Sequence, residues 1–215
     1  MSGSPIFLDD LEIDALTELV NIGVSRAAAS LRLMVQRQVF LSVPSVEVMS
    51  RSDAATLMAE REIGPLVAVR QEFTGAFSGR ALLIFPEANS LALVRAVTGE
   101  ELTDDAVAEI EDEALAETGN VVLNNCLATM ANLLKRPLDM SLPGVLRDPG
   151  PSLFELEQAG DDGVVLFLYI NFAISERDIR GYIAILMDLP SLDALKALVS
   201  EFISRVLGQD AATGG

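Results

Sequence analysis

The sequence predicts an α/β (α+β) fold, in which long helices pack on a mainly antiparallel sheet and one structural unit is present twice with pseudo-twofold symmetry. Three observations support this prediction. Two long segments carry apolar residues at helical spacing, several β-prone segments are joined by tight turns, and identical residues recur 99 positions apart.

The first long helix is predicted from Asp9 to about Val35. Asp9 is the expected N-cap, and Glu12 three residues later completes a capping-box pattern. The apolar residues that follow are spaced by three and four positions: Ile13, Leu16, Val20, Val24, Ala27, Leu31 and Met34. This spacing predicts one apolar stripe along the helix.

Shorter elements complete the first half. We expect a strand over 39–48, a short helix over 52–59, strands over 63–73 and 76–85, and a helix over 87–97. Thr74-Gly75 is the expected turn between the last two strands, which implies antiparallel pairing. Thr98-Gly99 is expected to end the unit.

The second half repeats this order. Its long helix is predicted from near Thr103 to about Leu134, with Asp104 and Asp105 favouring the positive end of the helix dipole. A strand over 138–146, a Pro/Gly break over 148–151, strands over 164–174 and 179–188, and a helix over 191–207 follow.

The register of the repeat is given by three residue pairs that are each 99 positions apart: Asn21 with Asn120, Ser42 with Ser141, and Pro44 with Pro143. Three coincidences at one offset indicate duplication. We therefore expect a single domain over 1–215, made of two repeats at about 8–99 and 100–207, with a flexible tail at 208–215.

Composition excludes several classes of function. The net charge of −17 disfavours nucleic acid and anionic membrane partners. No apolar segment is long enough to span a bilayer and no secretory leader is evident, so the expected compartment is the cytoplasm. The single cysteine, Cys126, cannot form an internal disulfide, which agrees with a reducing compartment. The absence of histidine excludes Ser-His-Asp catalysis and histidine-ligated metal centres, and no phosphate-binding glycine motif is present.

The residues that point to chemistry form one constellation on each long helix: Asp14-x-x-x-Glu18-x-x-Asn21 and Glu113-x-x-x-Glu117-x-x-Asn120. At helical spacing each set falls within a sector of roughly 60°, away from the apolar stripe. Exposed helix faces commonly carry Glu, Asp and Asn for solubility alone. Asparagine is nevertheless a weak helix former, and a polar pair repeated at equivalent positions favours a role at the surface.

The pattern Asp/Ser-x-x-x-Glu-x-x-Asn, followed after 22 residues by proline, resembles the signature of the CheC/CheX/FliY family. Asn21 is followed in this way by Pro44, and Asn120 by Pro143. The element order resembles that of the family over roughly residues 8–207. Glu113 departs from the usual Asp or Ser. Two intact pairs resemble the CheC type, with two active sites, whereas CheX-type members have one pair and FliY-type proteins add a flagellar-switch module.

The resemblance implies a cytoplasmic chemotaxis phosphatase that hydrolyses the phospho-aspartate of the CheY-type response regulator. Asn21 and Asn120 would orient the attacking water, and Glu18 and Glu117 would pair with the regulator's lysine. Asp14 and Glu113 are expected to help bind the substrate. No cofactor of its own is expected, since the regulator supplies Mg²⁺.

An alternative implied by the same resemblance is a non-catalytic adaptor that senses phosphorylated CheY and binds and regulates a CheD-type receptor deamidase. A structural component of the flagellar switch is a third alternative, which the absence of a switch module disfavours.

Other features have two interpretations each. The nine carboxylates between 100 and 117 suit either a hard-cation site or, more simply, a solvated helix face. Cys126 lies on the apolar stripe, which favours a buried, inert thiol over a reactive one. Gly23 and Gly119 suit either the approach of a partner's loop or close helix packing.

Overall fold

Five α-helices, one 3-10 helix and eight strands form in the computed structural model, which describes residues 8–36, 38–43, 46–98, 103–148, 150–155, 163–174 and 177–213. The helices are α1 (Asp10–Val35), α2 (Arg51–Arg61), α3 (Glu87–Thr98), α4 (Asp104–Leu134) and α5 (Leu189–Thr213), with the 3-10 helix at Pro151–Phe154. The strands are β1 (Val39–Ser42), β2 (Val46–Ser50), β3 (Leu66–Gly75), β4 (Gly79–Pro86), β5 (Leu138–Met140), β6 (Gly144–Asp148), β7 (Val164–Ile174) and β8 (Arg177–Met187).

All eight strands belong to one antiparallel sheet with the order β1-β7-β8-β4-β3-β5. Two short strands pair with each of the long strands β7 and β3. They are β1 and β2 along β7, and β5 and β6 along β3. This arrangement confirms the predicted fold class. The element order is the same in both halves except that the 3-10 helix takes the place of α2 in the second half, and the expected boundary at residues 99 and 100 lies outside the described residues.

Successive side chains of the central strands point to opposite faces of the sheet, and each face packs against helices. In β4, Leu83 and Phe85 face α1, α3, α4 and α5, whereas Leu82 and Ile84 face α2 and the 3-10 helix. Because both faces of the sheet are covered, its central strands carry few polar residues. The four helices on the first face include the two that carry the predicted site residues.

The start of α1 follows its sequence signals. Asp9 Oδ1 accepts a hydrogen bond from Glu12 N at 2.8 Å, and Asp9 N donates to Glu12 Oε2 at 2.9 Å. These two bonds form the predicted capping box. Similarly, Thr103 Oγ1 accepts from Ala106 N at 3.3 Å at the start of α4. Both long helices therefore lie within one residue of their predicted bounds.

Three predictions about the strands are corrected. The strands expected over 39–48 and 138–146 are each two short strands; Pro143 lies at the second break, and proline cannot donate to a sheet hydrogen bond. Pro44 lies outside the described residues. Thr74 and Gly75 do not form the turn, because they extend β3 by pairing with Asp139 and Leu138.

At the other end of the chain, α5 continues to Thr213 rather than ending at Leu207. Residues 208–213 of the expected tail are thus helical. The part of α5 just before this extension is docked, because Arg205 Nη2 donates to the carbonyl of Leu133 at 2.6 Å near the end of α4. A docked helix propagates at little further loss of entropy. No helix in the described parts of the chain is both long and apolar enough to cross a membrane.

Candidate functional site

The first predicted pair lies on the open face of α1. Asp14 and Glu18 are exposed and Asn21 is half-buried. Asn21 Oδ1 accepts a long hydrogen bond, 3.4 Å, from the backbone N of Val43, which follows β1. The asparagine therefore lies where α1 meets the end of an outer strand, with its side chain still accessible from solvent.

A shallow groove of about 390 Å³ runs beside this pair, lined by Glu18, Asn21, Ile22, Ser25, Arg26 and Ala29. Since Glu18 and Asn21 are three residues apart, both project into the groove from neighbouring turns of one helix. Arg26 adds a positive charge that the sequence analysis did not single out, and its Nη1 donates to Thr129 Oγ1 of α4 at 3.3 Å.

The second predicted pair occupies the corresponding face of α4. Glu113 and Glu117 are exposed, and Asn120 is half-buried. Asn120 Oδ1 accepts from Asn124 Nδ2 at 2.6 Å and from Gln71 Nε2 at 3.5 Å. The structure thus places each Glu-x-x-Asn pair on a solvent-accessible helix face, but surrounds the two asparagines differently.

Gln71 is the residue that sequence reasoning missed. It lies in β3, is 1% exposed, and also donates to Asn124 Oδ1 at 3.0 Å and to the carbonyl of Ser141 at 2.8 Å. The signal that could have found it is its position in the alternation of β3, where Val69 and Phe73 on the same face belong to the core. A glutamine in such a place requires a polar partner.

Two glycines let the helices that carry the predicted pairs pack unusually close to their neighbours. A Cβ on Gly23 would lie 2.8 Å from the Cα of Cys126, so α1 and α4 touch there almost backbone to backbone. A Cβ on Gly119 would lie 2.4 Å from Cγ1 of Val69 in β3. Close packing within the chain, rather than the approach of a partner's loop, therefore explains both glycines.

Cys126 is 2% exposed, and burial raises the pKa of its thiol to about 12. This confirms the interpretation as a buried cysteine. A thiol with such a pKa stays protonated near neutral pH and is a poor nucleophile.

The acidic start of α4 is partly engaged in ion pairs. Arg147 of β6 contacts Asp112 at 2.6 Å and Glu111 at 3.1 Å, and Glu111 also accepts from Ser90 Oγ at 2.7 Å. Glu100 and Glu101 lie outside the described residues. Among the residues that the structure describes, no three acidic or cysteine side chains are grouped as a metal site requires.

Comparisons with known proteins bear on both pairs. The sequence model of the family "Chemotaxis phosphatase CheX" matches residues 67–166. The chain is 24% identical over 195 residues to the CheY-P phosphatase CheC of Bacillus subtilis, a match that covers 86% of this chain and 91% of that protein. The chain is therefore similar to members of the CheC/CheX/FliY family of chemotaxis phosphatases.

One further sequence and one solved structure are similar to parts of this chain. The flagellar motor switch phosphatase FliY of Bacillus subtilis is 27% identical over 140 residues, which are 64% of this chain and 36% of that protein. The crystal structure of Thermotoga maritima FliY superposes with a TM-score of 0.71 at 19% identity, covering 91% of this chain and 98% of that one. The latter comparison shows that the fold is shared.

Within the CheC/CheX/FliY family match, the second Glu-x-x-Asn pair and Gln71 fall inside the residues covered by the family model, whereas the first pair precedes them. The CheC relative spans most of the chain. The second pair therefore lies within the family match, and both pairs remain candidates for the chemistry of these relatives.

Proposed function

We propose that this chain is a phosphatase that hydrolyses the phospho-aspartate of a CheY-type response regulator, using Asn21 with Glu18 and Asn120 with Glu117. The observation that carries the proposal is the duplicated Glu-x-x-Asn pair, which lies on an accessible helix face in both halves. The match of residues 67–166 to a chemotaxis phosphatase family model supports it, as does the similarity to a protein named CheY-P phosphatase.

The proposed reaction requires no covalent bond between the substrate and this protein. An acyl phosphate bound to Mg²⁺ is already activated, so catalysis requires a water held in line with the scissile bond. The water oxygen forms a bond to phosphorus, the bond between phosphorus and the aspartyl oxygen breaks, and the aspartate leaves as a carboxylate. One water proton stays on the phosphate as its new hydroxyl group, and the other passes to a phosphate oxygen or to solvent. Asn21 and Asn120 would orient this water, since a carboxamide hydrogen-bonds to water without becoming charged.

The glutamates would dock the regulator. Glu18 and Glu117 are exposed and lie one turn before their asparagines. In the proposed complex each carboxylate pairs with the lysine of the regulator's active site, which fixes the register of the asparagine against the phosphate. Asp14 and Glu113, one turn further away and also exposed, would extend this acidic contact. Mg²⁺ would arrive with the regulator.

The test is the rate of phosphate release from a Mg²⁺-loaded, phosphorylated CheY-type regulator, with and without the intact chain. We expect acceleration by the intact chain and almost none by the variant with both Asn21→Ala and Asn120→Ala. Asn132→Ala is a matched control, because Asn132 is an exposed asparagine of α4 outside both pairs. It should retain full acceleration.

Failure of the intact chain to accelerate release would overturn the proposal. If the same chain nevertheless bound the phosphorylated regulator more tightly than the unphosphorylated one, the adaptor function would be favoured instead. Equal activity of the double variant and the intact chain would also overturn the assignment of the two pairs.

A further inference from the structure

The two asparagines differ in how firmly their carboxamides are held. Asn120 Oδ1 accepts a short bond from Asn124 Nδ2, 2.6 Å, and lies 3.5 Å from Gln71 Nε2, whereas Asn21 Oδ1 makes only the 3.4 Å contact with Val43 N among the described residues. The oxygen of Asn120 is thus fixed by Asn124, which Gln71 Nε2 in turn holds by donating to Asn124 Oδ1 at 3.0 Å, and the amide of Gln71 adds a weak contact to Asn120 itself. Asn120 Nδ2 donates to no group of the described residues and is the end left for a ligand.

This difference comes from two positions at which the repeats diverge. The residue 99 positions after Gln71 is Ile170, which is also 1% exposed but cannot donate a hydrogen bond. The two occupy corresponding places in the sheet: Ser141 N donates to the carbonyl of Glu72, next to Gln71, and Ser42 pairs with Asn171, next to Ile170. Asn124 likewise corresponds to Ser25.

Gln71 is also poorly explained as a contributor to stability. Its Oε1 is buried with no hydrogen-bond partner, which is unfavourable for the folded state. An apolar residue, such as the isoleucine at the corresponding position, would avoid that penalty. Gln71 also donates to the carbonyl of Ser141 at 2.8 Å, but that bond alone does not require an amide that also reaches Asn124 and Asn120, so an orienting role is the better explanation of the glutamine.

We propose that Gln71 and Asn124 are positioning residues of the second site, which hold Asn120 with Oδ1 inward and Nδ2 toward the attacking water. The inference rests on the proposed function and adds to it that the two sites are not equivalent. At the second site the amide is preorganised and uses its N–H to hold the water oxygen. At the first site Asn21 is oriented largely when the regulator docks.

The test isolates each site in turn. In an Asn21→Ala background, which leaves only the second pair, Gln71→Met should lower kcat on the order of tenfold and leave KM within about twofold. In an Asn120→Ala background the same substitution should have no further effect, since Gln71 has no contact with the first pair. Asn124→Ser should behave like Gln71→Met.

Asn125→Ser is the matched control for Asn124→Ser, because Asn125 Nδ2 donates to the carbonyl of Val121 and not to Asn120. It should leave the second site's kcat within about twofold of its parent. Gln71→Met should not lower the unfolding temperature by more than a few degrees, since removal of the unpaired oxygen offsets part of the loss of the bonds to Asn124 and Ser141, and Ser141 is exposed to water. Lower activity with undiminished stability distinguishes positioning from a structural role.

Equal losses in both backgrounds would show that Gln71 acts through folding, and an unchanged kcat in the Asn21→Ala background would remove the positioning role.

A second readout does not require turnover: the side-chain amide of Asn120 should show a high NMR order parameter that falls in Gln71→Met. If the intact chain accelerates no phosphate release, the proposed function fails, and this measurement still decides whether the network holds Asn120. An unaltered order parameter would overturn the inference.

Discussion

Gly119 lies against Val69 so closely that a Cβ on the glycine would be 2.4 Å from Cγ1 and 2.5 Å from Cβ of the valine. The contact joins α4 to β3, the strand that also carries Gln71. Asn120 is the next residue along α4. The approach of helix to sheet at Gly119 therefore sets the depth at which Asn120 meets the amide of Gln71.

Gly119→Ala should destabilise the fold by about 1–3 kcal/mol through overpacking, partly offset by the roughly 1 kcal/mol that alanine gains over glycine in a helix. The displaced α4 should also lose second-site activity in an Asn21→Ala background. Urea unfolding and phosphate release measure the two effects. Gly144→Ala is the control, because a Cβ there meets nothing within 4 Å. A Gly119→Ala variant as stable and active as its parent would contradict the close contact.

Asn21→Ala and Asn120→Ala should each remove the turnover of one site. An unoriented water loses on the order of 10²-fold or more at the altered site, so each variant should keep only the turnover of the intact site. Because the second site is proposed to be preorganised, Asn120→Ala should lose the larger share. Steady-state phosphate release measures this, and circular dichroism checks that each variant is folded. A loss of nearly all activity in one single variant would show that the other site is idle.

Glu18→Gln and Glu117→Gln should raise KM more than they lower kcat, because the carboxylates are proposed to dock the regulator rather than orient water. The effect should be largest at low ionic strength, where exposed charges are least screened. Initial rates over a range of regulator concentrations, at two salt concentrations, separate the two constants. A fall in kcat at constant KM would instead place the glutamates in the chemical step.

Chelation by EDTA should abolish the accelerated release, because the proposed Mg²⁺ site is in the regulator. The purified chain should contain no stoichiometric metal by elemental analysis. Restoring Mg²⁺ should restore the rate in full, which controls for damage by the chelator. Tightly bound zinc or iron in the chain would contradict this assignment.

Cys126 should react slowly with Ellman's reagent at pH 8 in the folded protein and rapidly in urea, since burial raises the pKa of its thiol to about 12 from a usual value of 9.0. Because the folded pKa is the higher one, the protonated thiol stabilises the fold fully below about pH 9, and this contribution is lost as the pH rises toward 12. Cys126→Ala should remove the slow reaction. Rapid labelling of the native chain would show that the α1–α4 contact opens readily.

The sequence by itself was sufficient for features that depend on local signals. The capping box of Asp9 and Glu12 fixes the start of α1 with contacts three residues apart, so no tertiary information was needed. Helical periodicity likewise placed Glu18 with Asn21, and Glu117 with Asn120, on exposed faces. The fold class followed because tight spacing between β-prone segments favours antiparallel pairing.

Only the tertiary structure decided the ends of β3 and the surroundings of Asn120. Thr74 and Gly75 look like a turn locally, but pairing with β5, more than sixty residues away in the chain, makes them part of a strand. Gln71 is 49 residues from Asn120, and no local rule joins a strand residue of one half to a helix residue of the other. Hydrogen bonds between distant segments depend on how the helices lie on the sheet, which is set by the packing of Gly119 on Val69 and of Gly23 on Cys126 rather than by the pattern of either segment alone.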